Sequence, residues 1–177
     1  MSAGSGPVRA IVLVGFMAAG KSTVGRALAT RLGWRFIDFD EEIERRDGMT
    51  VAEIFRARGE GAFRAREADL TRELSSYDRV VIAPGGGWIT RENALAELSG
   101  RAWVVWLRIG AEEAVRRAQA SGTVRPLLAD GDPLDTATRL LAARDPLYRQ
   151  AHAAIDVEGR DTEDIVTELL NGIPSMD

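Results

Sequence analysis

A glycine-rich segment with one lysine follows a short apolar run near the start of the chain. Residues 15–22 read GFMAAGKS, which fits the pattern G-x-x-x-x-G-K-S, and residues 11–14 before them read IVLV. In such a loop the backbone N–H groups and the positive end of the next helix bind phosphate oxygens. Lys21 is expected against the outer phosphates, and the Ser22 hydroxyl is expected to be a ligand of Mg2+. A chance glycine turn is the alternative, but strand, motif and helix follow in the required order. The sequence therefore predicts a nucleoside triphosphate site at residues 15–23.

Two carboxylates close the predicted second strand, at Asp38 and Asp40 with Phe39 between them. Because side chains alternate along a strand, both carboxylates are expected on one side of it. There they could hold Mg2+ through water and accept a proton from a substrate hydroxyl. The alternative for Asp40 is a helix N-cap, since an acidic helical segment follows. Asp38 joins Ser22 as a candidate metal ligand.

Further candidates are a charged pair, a glycine turn and one distant arginine. Arg64 and Glu67 are three residues apart and therefore share a helix face, where a surface ion pair is the alternative. Three glycines at 85–87 follow a predicted buried strand, which indicates either a tight turn or a close approach of another group to the backbone. Arg144 is either a binding residue or part of a solvated helix face.

The segment at about 121–133 connects two predicted helices and contains glycine, proline and aspartate around Arg125. It is long for a helix connection in a compact domain. A plain surface loop is one interpretation. Because the chain is expected to bind a triphosphate, a closing lid that carries Arg125 is the other.

Short apolar runs alternate with amphipathic segments along the chain, which predicts an α/β fold. The expected architecture is a five-stranded parallel sheet with helices on both faces, and its ligands lie beyond the carboxyl ends of the strands. Thr50 and Glu53 form a predicted capping box. The predicted strands are 10–14, 35–39, 80–83, 102–107 and 153–157. The predicted helices are 21–32, 40–46, 51–58, 61–75, 91–98, 111–118, 134–150 and 162–170.

The length and composition of the chain exclude several kinds of site and partner. A length of 177 residues fits one domain, 1–177. The chain has no cysteine, which excludes disulfides and thiolate metal sites, and its net charge of −4 argues against a nucleic-acid partner. No apolar stretch approaches a membrane span, so we expect no membrane partner. A cytoplasmic location is expected because ATP and Mg2+ are abundant there. The single histidine, His152, is expected to be a packed or surface residue.

Taken together, six motifs make the sequence similar to the shikimate kinases over nearly its whole length. They are the GFMxAGKST loop, D-x-D after the second strand, F-R-x-x-E, the triple glycine, T-V-R-P-L-L and R-x-P-L-Y. The phosphate loop alone is shared by many ATPases and kinases, whereas the combination is specific. One departure is Ala18, where many members have glycine.

The resemblance implies transfer of the γ-phosphate of ATP to the 3-hydroxyl of shikimate, with Mg2+ as cofactor. On the acceptor side, Asp40 matches the catalytic carboxylate near the reacting hydroxyl. Arg64 and Arg144 match the pair that binds the shikimate carboxylate. Gly86 matches a backbone contact, and Glu67 matches the acid that supports Arg64 and the hydroxyls.

On the nucleotide side, Arg125 matches the lid arginine that closes over the transferred phosphate. Arg125 and Lys21 are both expected to be catalytic residues. Arg117 and Arg160 resemble positions next to the adenine. The loop residues expected to bind ATP are Ala18, Ala19, Gly20, Lys21, Ser22 and Thr23. The resemblance also implies a fold like that of the nucleoside monophosphate kinases among P-loop NTPases. It further implies a substrate-binding helical region at about 40–75, small-molecule substrates only, and a monomer.

Two other functions remain open from the sequence. A kinase of the same fold for another polyol or cyclitol, such as gluconate, would keep Lys21, Ser22 and Asp40. It would not need two carboxylate-binding arginines beside a glycine turn. A nucleotide-dependent switch without transferase activity would not need the acid and the arginines together.

Overall fold

The computed structural model describes residues 7–74, 76–98, 100, 102–121 and 131–174 of the chain. Within them, five strands form one sheet in the order β2-β3-β1-β4-β5, and every neighbouring pair is parallel. The predicted five-stranded parallel sheet is therefore confirmed. The strands are β1 Ala10–Val14, β2 Arg35–Asp38, β3 Val80–Ala83, β4 Ala102–Arg108 and β5 Ala153–Asp156.

Helices cover both faces of this sheet, as the sequence predicts. Alternate residues of β4 explain the two layers: Trp103 and Val105 belong to one buried cluster, and Val104 and Trp106 belong to the other. The helices are α1 Lys21–Leu32, α2 Phe39–Asp47, α3 Val51–Leu74, α4 Ala111–Ala120, α5 Pro133–Tyr148 and α6 Thr162–Gly172, with a short 3₁₀ helix at Trp88–Thr90. No helix among the described residues is long and apolar enough to cross a membrane.

The segment predicted as two helices, 51–58 and 61–75, forms the single element α3 with an internal break. Gly59 has φ 80° and ψ 169°, which is not helical, so the axis changes direction there. The helix begins at the predicted capping box. Glu53 Oε2 accepts from Thr50 N at 2.7 Å, and Thr50 Oγ1 accepts from Glu53 N at 3.2 Å.

The predicted helix at 91–98 is wrong, because the structure has turns there. Asn93 has φ 61°, in the left-handed region, which interrupts the helical repeat. Of the predicted lid at 121–133, residues 122–130 and with them Arg125 lie outside the described residues.

Candidate active site

The phosphate loop joins β1 to α1 at the carboxyl edge of the sheet. Gly20 has φ 88° and is the N-cap of α1, so the first N–H groups of the helix face the loop. Lys21 Nζ donates to the carbonyl oxygens of Gly15 at 2.9 Å and Phe16 at 3.1 Å. Ala18 has φ 59°, in the left-handed region that glycine adopts more readily than alanine.

Asp38 connects the second strand to the phosphate loop. Its Oδ2 accepts a hydrogen bond from Ser22 Oγ at 2.5 Å, and its Oδ1 accepts from Asp40 N at 3.0 Å and Glu41 N at 3.2 Å. The strand ends at Asp38, so Asp38 is the N-cap of α2 and Asp40 lies in the first helical turn. The expectation that strand alternation orients both carboxylates is therefore wrong, and so is the N-cap alternative for Asp40.

A cavity of about 490 Å³ lies at this edge of the sheet. Most of the sequence-predicted site residues line it, on both the nucleotide and the metal side. The predicted residues that line it are Ala18, Ala19, Gly20, Lys21, Ser22, Thr23, Asp38, Asp40, Gly86, Arg117 and Arg160, whereas Arg64, Glu67 and Arg144 are not part of its lining. Residues that were not predicted from the sequence, among them Met17, Ser121, Thr162 and Ile165, also line the cavity.

The glycine turn at 85–87 borders this cavity through Gly85 and Gly86, and several side chains approach its backbone closely. A Cβ atom on Gly85 would lie 3.0 Å from Asp40 Oδ1 and 3.1 Å from Glu67 Oε1. A Cβ atom on Gly87 would overlap the guanidinium of Arg64. Glycine at 85 and 87 thus allows three charged side chains, those of Asp40, Glu67 and Arg64, to approach the backbone of the turn closely.

Arg64 is held by two carboxylates of its own helix. Its Nη1 donates to Glu67 Oε2 at 2.7 Å, and its Nη2 donates to Glu60 Oε1 at 3.0 Å. Glu67 is fully buried, and this burial raises its pKa to about 7, against the opposing effect of the Arg64 charge. Glu60 is not among the residues predicted from the sequence, although its spacing of four residues from Arg64 is a recognisable helix signal.

Arg144 points into the molecule. It is 7% exposed, its Nη1 donates to the carbonyl oxygen of Gly86 at 3.1 Å, and its guanidinium lies 5.6 Å from the centroid of the Phe16 ring. The hydroxyl of buried Tyr148 donates to the same carbonyl oxygen at 3.2 Å. A solvated helix face is therefore excluded for Arg144, and Tyr148 is a contact of the turn that the sequence analysis missed.

Arg117 and Arg160 reach the opposite side of the cavity. Arg117 Nη2 donates to Val157 O at 3.0 Å, and Arg160 Nη2 donates to Asp164 O at 3.3 Å. Both arginines are thus fixed beside the loop that follows β5.

His152 accepts a hydrogen bond from Val104 N at 2.9 Å through Nδ1 and has the expected structural role.

Comparison with known proteins identifies the family. The shikimate kinase family model matches residues 17–174. The chain belongs to the shikimate kinase family. The shikimate kinase of Nitrobacter winogradskyi is 47% identical over 92% of this chain and 75% of its own length. Membership of this family makes the chain a kinase.

Solved structures agree with this assignment. The shikimate kinase of Acinetobacter baumannii, solved in complex with shikimate, has a TM-score of 0.86 and 41% identity, and the match covers 93% of this chain and 92% of that one. A gluconokinase from Sinorhizobium meliloti has a TM-score of 0.61 and 23% identity, over 93% of this chain and 91% of that one. The latter shows a shared fold only. The shikimate kinase assignment is therefore favoured over the gluconate alternative.

Proposed function

We propose that this member of the shikimate kinase family transfers the γ-phosphate of ATP to the 3-hydroxyl of shikimate. The observation that carries the proposal is the position of the glycine turn. On one side it borders a cavity lined by the phosphate loop, and on the other it contacts the Arg64 and Arg144 guanidiniums and the Glu67 carboxylate. A phosphate-binding site and a carboxylate-binding site would thus meet at one turn, as transfer between ATP and an anionic alcohol requires.

On the nucleotide side, the N–H groups of residues 18–23 would bind the β- and γ-phosphates. Lys21 would compensate their charge as it builds up on the transferring group. The fixed arginines Arg117 and Arg160 would lie beside the adenine.

The residues at the mouth of the loop fit Mg2+. Ser22 supplies a hydroxyl oxygen and Asp38 a carboxylate oxygen, which are hard donors of the kind this ion prefers. Such a site uses few protein ligands and is completed by phosphate oxygens and water. When bound, the ion would compensate phosphate charge. Asp38 would hold Ser22 in place as well as contribute its own oxygen.

On the acceptor side, Arg64 and Arg144 would bind the shikimate carboxylate, because two guanidinium forks give a directional site that lysine cannot reproduce. Glu67 would hold Arg64 and accept substrate hydroxyls, and the Gly86 backbone would contact the ring. Asp40 lines the cavity and approaches Gly85, so it would orient the 3-hydroxyl and take its proton.

Four proposals, on the lid, the domain organisation, the oligomeric state and the location, depend on the sequence alone. Arg125 would close over the transferred phosphate as part of a lid at about 121–133, which would exclude water from the reaction. The chain would act as one domain and as a monomer. Its location would be the cytoplasm, where ATP and Mg2+ are abundant.

The first test is an ADP-release assay with ATP and Mg2+, with shikimate, gluconate, quinate or no acceptor. We expect turnover with shikimate alone, and loss of turnover in Asp40→Asn and Lys21→Ala while circular dichroism shows an intact fold. Turnover with gluconate and none with shikimate would overturn the substrate assignment and retain the nucleotide site. Turnover in either variant at the wild-type rate would remove that residue from the mechanism.

A further inference from the structure

A buried hydrogen bond connects the segment after the glycine turn to helix α3, and a second one continues from it within the helix. Trp88 Nε1 donates to Thr71 Oγ1 at 2.9 Å, and Thr71 Oγ1 donates in turn to the carbonyl oxygen of Glu67 at 2.7 Å. Trp88 and Thr71 are each 1% exposed. We call these two hydrogen bonds the Trp88–Thr71 relay.

Both ends of the relay lie next to the acceptor side of the site. Trp88 directly follows Gly87, and its backbone N–H closes the turn onto Gly85 O at 3.0 Å. At the other end, Glu67 carries the carboxylate that holds Arg64. The relay thus joins the turn that Arg64 contacts to the helix turn from which Arg64 projects.

We propose that Trp88 and Thr71 are positioning residues for the acceptor site, an inference that rests on the proposed function. The relay fixes the separation between the glycine turn and α3, and this separation determines how close the turn lies to the Arg64 guanidinium, which Glu60 and Glu67 hold on α3. The space is narrow, because a single Cβ atom on Gly87 would already overlap that guanidinium. A small shift of the turn therefore changes the distance between the turn and the carboxylate-binding group.

The Thr71 hydroxyl is essential to this arrangement because it accepts one hydrogen bond and donates the other. Without it, the indole N–H of Trp88 is a buried donor with no acceptor at Thr71, an arrangement that proteins strongly avoid. The Trp88 ring then moves toward another partner and takes Gly87 with it. The phosphate loop joins β1 to α1, neither of which belongs to the relay, and the turn approaches this loop through Gly86.

The test compares Thr71→Val, which removes the hydroxyl at nearly constant shape, with Thr71→Ser, which keeps it. For Thr71→Val we expect the KM for shikimate to rise at least tenfold and the KM for ATP to change less than twofold. For Thr71→Ser we expect both constants within threefold of wild type. A general loss of packing would not separate the two substrates in this way. Equal changes in the two KM values, or a shikimate KM in Thr71→Val that matches Thr71→Ser, would overturn the proposal.

A measurement on the unmodified protein keeps the inference testable if Thr71→Val does not fold. Hydrogen exchange of the Trp88 indole N–H is followed by NMR, with saturating shikimate or a non-hydrolysable ATP analogue. We expect shikimate to slow exchange at least tenfold, because binding at Arg64 holds the turn against α3, and the ATP analogue to have less than a threefold effect. Equal exchange with and without bound shikimate would overturn the relay. Absence of shikimate turnover in wild type would instead overturn the proposed function.

Discussion

Lys21 is chemically singular in this chain, because it is the one lysine among 23 basic residues. An amine-directed reagent can therefore modify one side chain, that of Lys21, and in addition the α-amino group. We expect pyridoxal phosphate followed by borohydride to inactivate the enzyme by labelling Lys21, since the phosphate of the reagent suits the loop. ATP with Mg2+ should protect and shikimate alone should not, as peptide mass mapping and residual activity will show. Inactivation with label at the α-amino group alone would contradict this role of Lys21.

At Arg144 the charge is nearly buried and close to the glycine turn. We expect Arg144→Ala to raise the KM for shikimate about 10- to 100-fold, because a charge-assisted hydrogen bond contributes roughly 1.5–3 kcal/mol. The KM for ATP should change far less. The matched control is Arg139→Ala on the exposed face of the same helix, which should leave both constants unchanged. Equal effects of Arg144→Ala on both substrates would show that Arg144 does not bind the acceptor carboxylate.

At the residue scale, the sequence allowed prediction of groups whose chemistry follows from a local pattern. Lys21 and Ser22 belong to one contiguous motif, and the structure puts them at the expected edge of the sheet. Contacts between distant segments have no such pattern. The Tyr148 hydroxyl reaches Gly86 O across a separation of 62 residues, and only the packing of α5 against the turn reveals it.

Helix α3 provides an element-scale prediction at its break. Gly59 has φ 80° and ψ 169°, a conformation nearly exclusive to glycine, so Gly59→Ala adds strain of order 1–3 kcal/mol. Gly61 is helical and has open space where a Cβ atom would lie, so Gly61→Ala should stabilise by about 0.5–1 kcal/mol. Urea unfolding of both variants measures this difference. Gly59→Ala as stable as Gly61→Ala would mean that the break is not a fixed feature of α3.

Element boundaries show where local patterns stop being sufficient. The core strands β1 and β3 have the predicted bounds, because each is a continuous apolar run buried on both faces. The segment at 91–98 has helical periodicity but forms turns. Asn93 in the left-handed region and Ala94 buried at 2% exposure show that packing overrides its propensity.

Over the whole molecule, charge is unevenly distributed. The net charge is −4, yet Lys21, Arg117 and Arg160 line one cavity, and Arg64 and Arg144 lie against its glycine turn. Basic groups gathered at one site, beside Asp38 and Asp40, can bind small anions without making the whole surface attractive to nucleic acid. Glu67 is buried in this region, next to Arg64. This burial raises the pKa of its carboxyl group to about 7, so the group is partly protonated near neutral pH.

That buried carboxyl group makes global stability depend on pH. Its pKa is about 7 in the folded state and 4.5 in the unfolded state, so between these values the folded protein binds more protons. The Glu67 contribution to the free energy of unfolding therefore falls as pH rises from 4.5 to 7, by up to about 3 kcal/mol. Burial lowers the pKa of His152, which acts in the opposite direction, so a reference variant is needed.

Glu67→Gln is that reference, because it retains an acceptor for Arg64, cannot ionise and leaves His152 unchanged. We expect wild type to lose about 2 kcal/mol of stability relative to Glu67→Gln between pH 5 and pH 7.5, as determined by urea unfolding at each pH. Hydrogen bonds from arginines lower the pKa values of the Glu42 and Glu113 carboxylates to about 2, so these groups change stability only below pH 4.5. Their contributions are the same in both proteins and cancel in this comparison. Parallel curves for the two proteins would mean that Glu67 is charged throughout the range. Arg64 would then outweigh the burial of Glu67, and the acceptor site would contain a permanent ion pair.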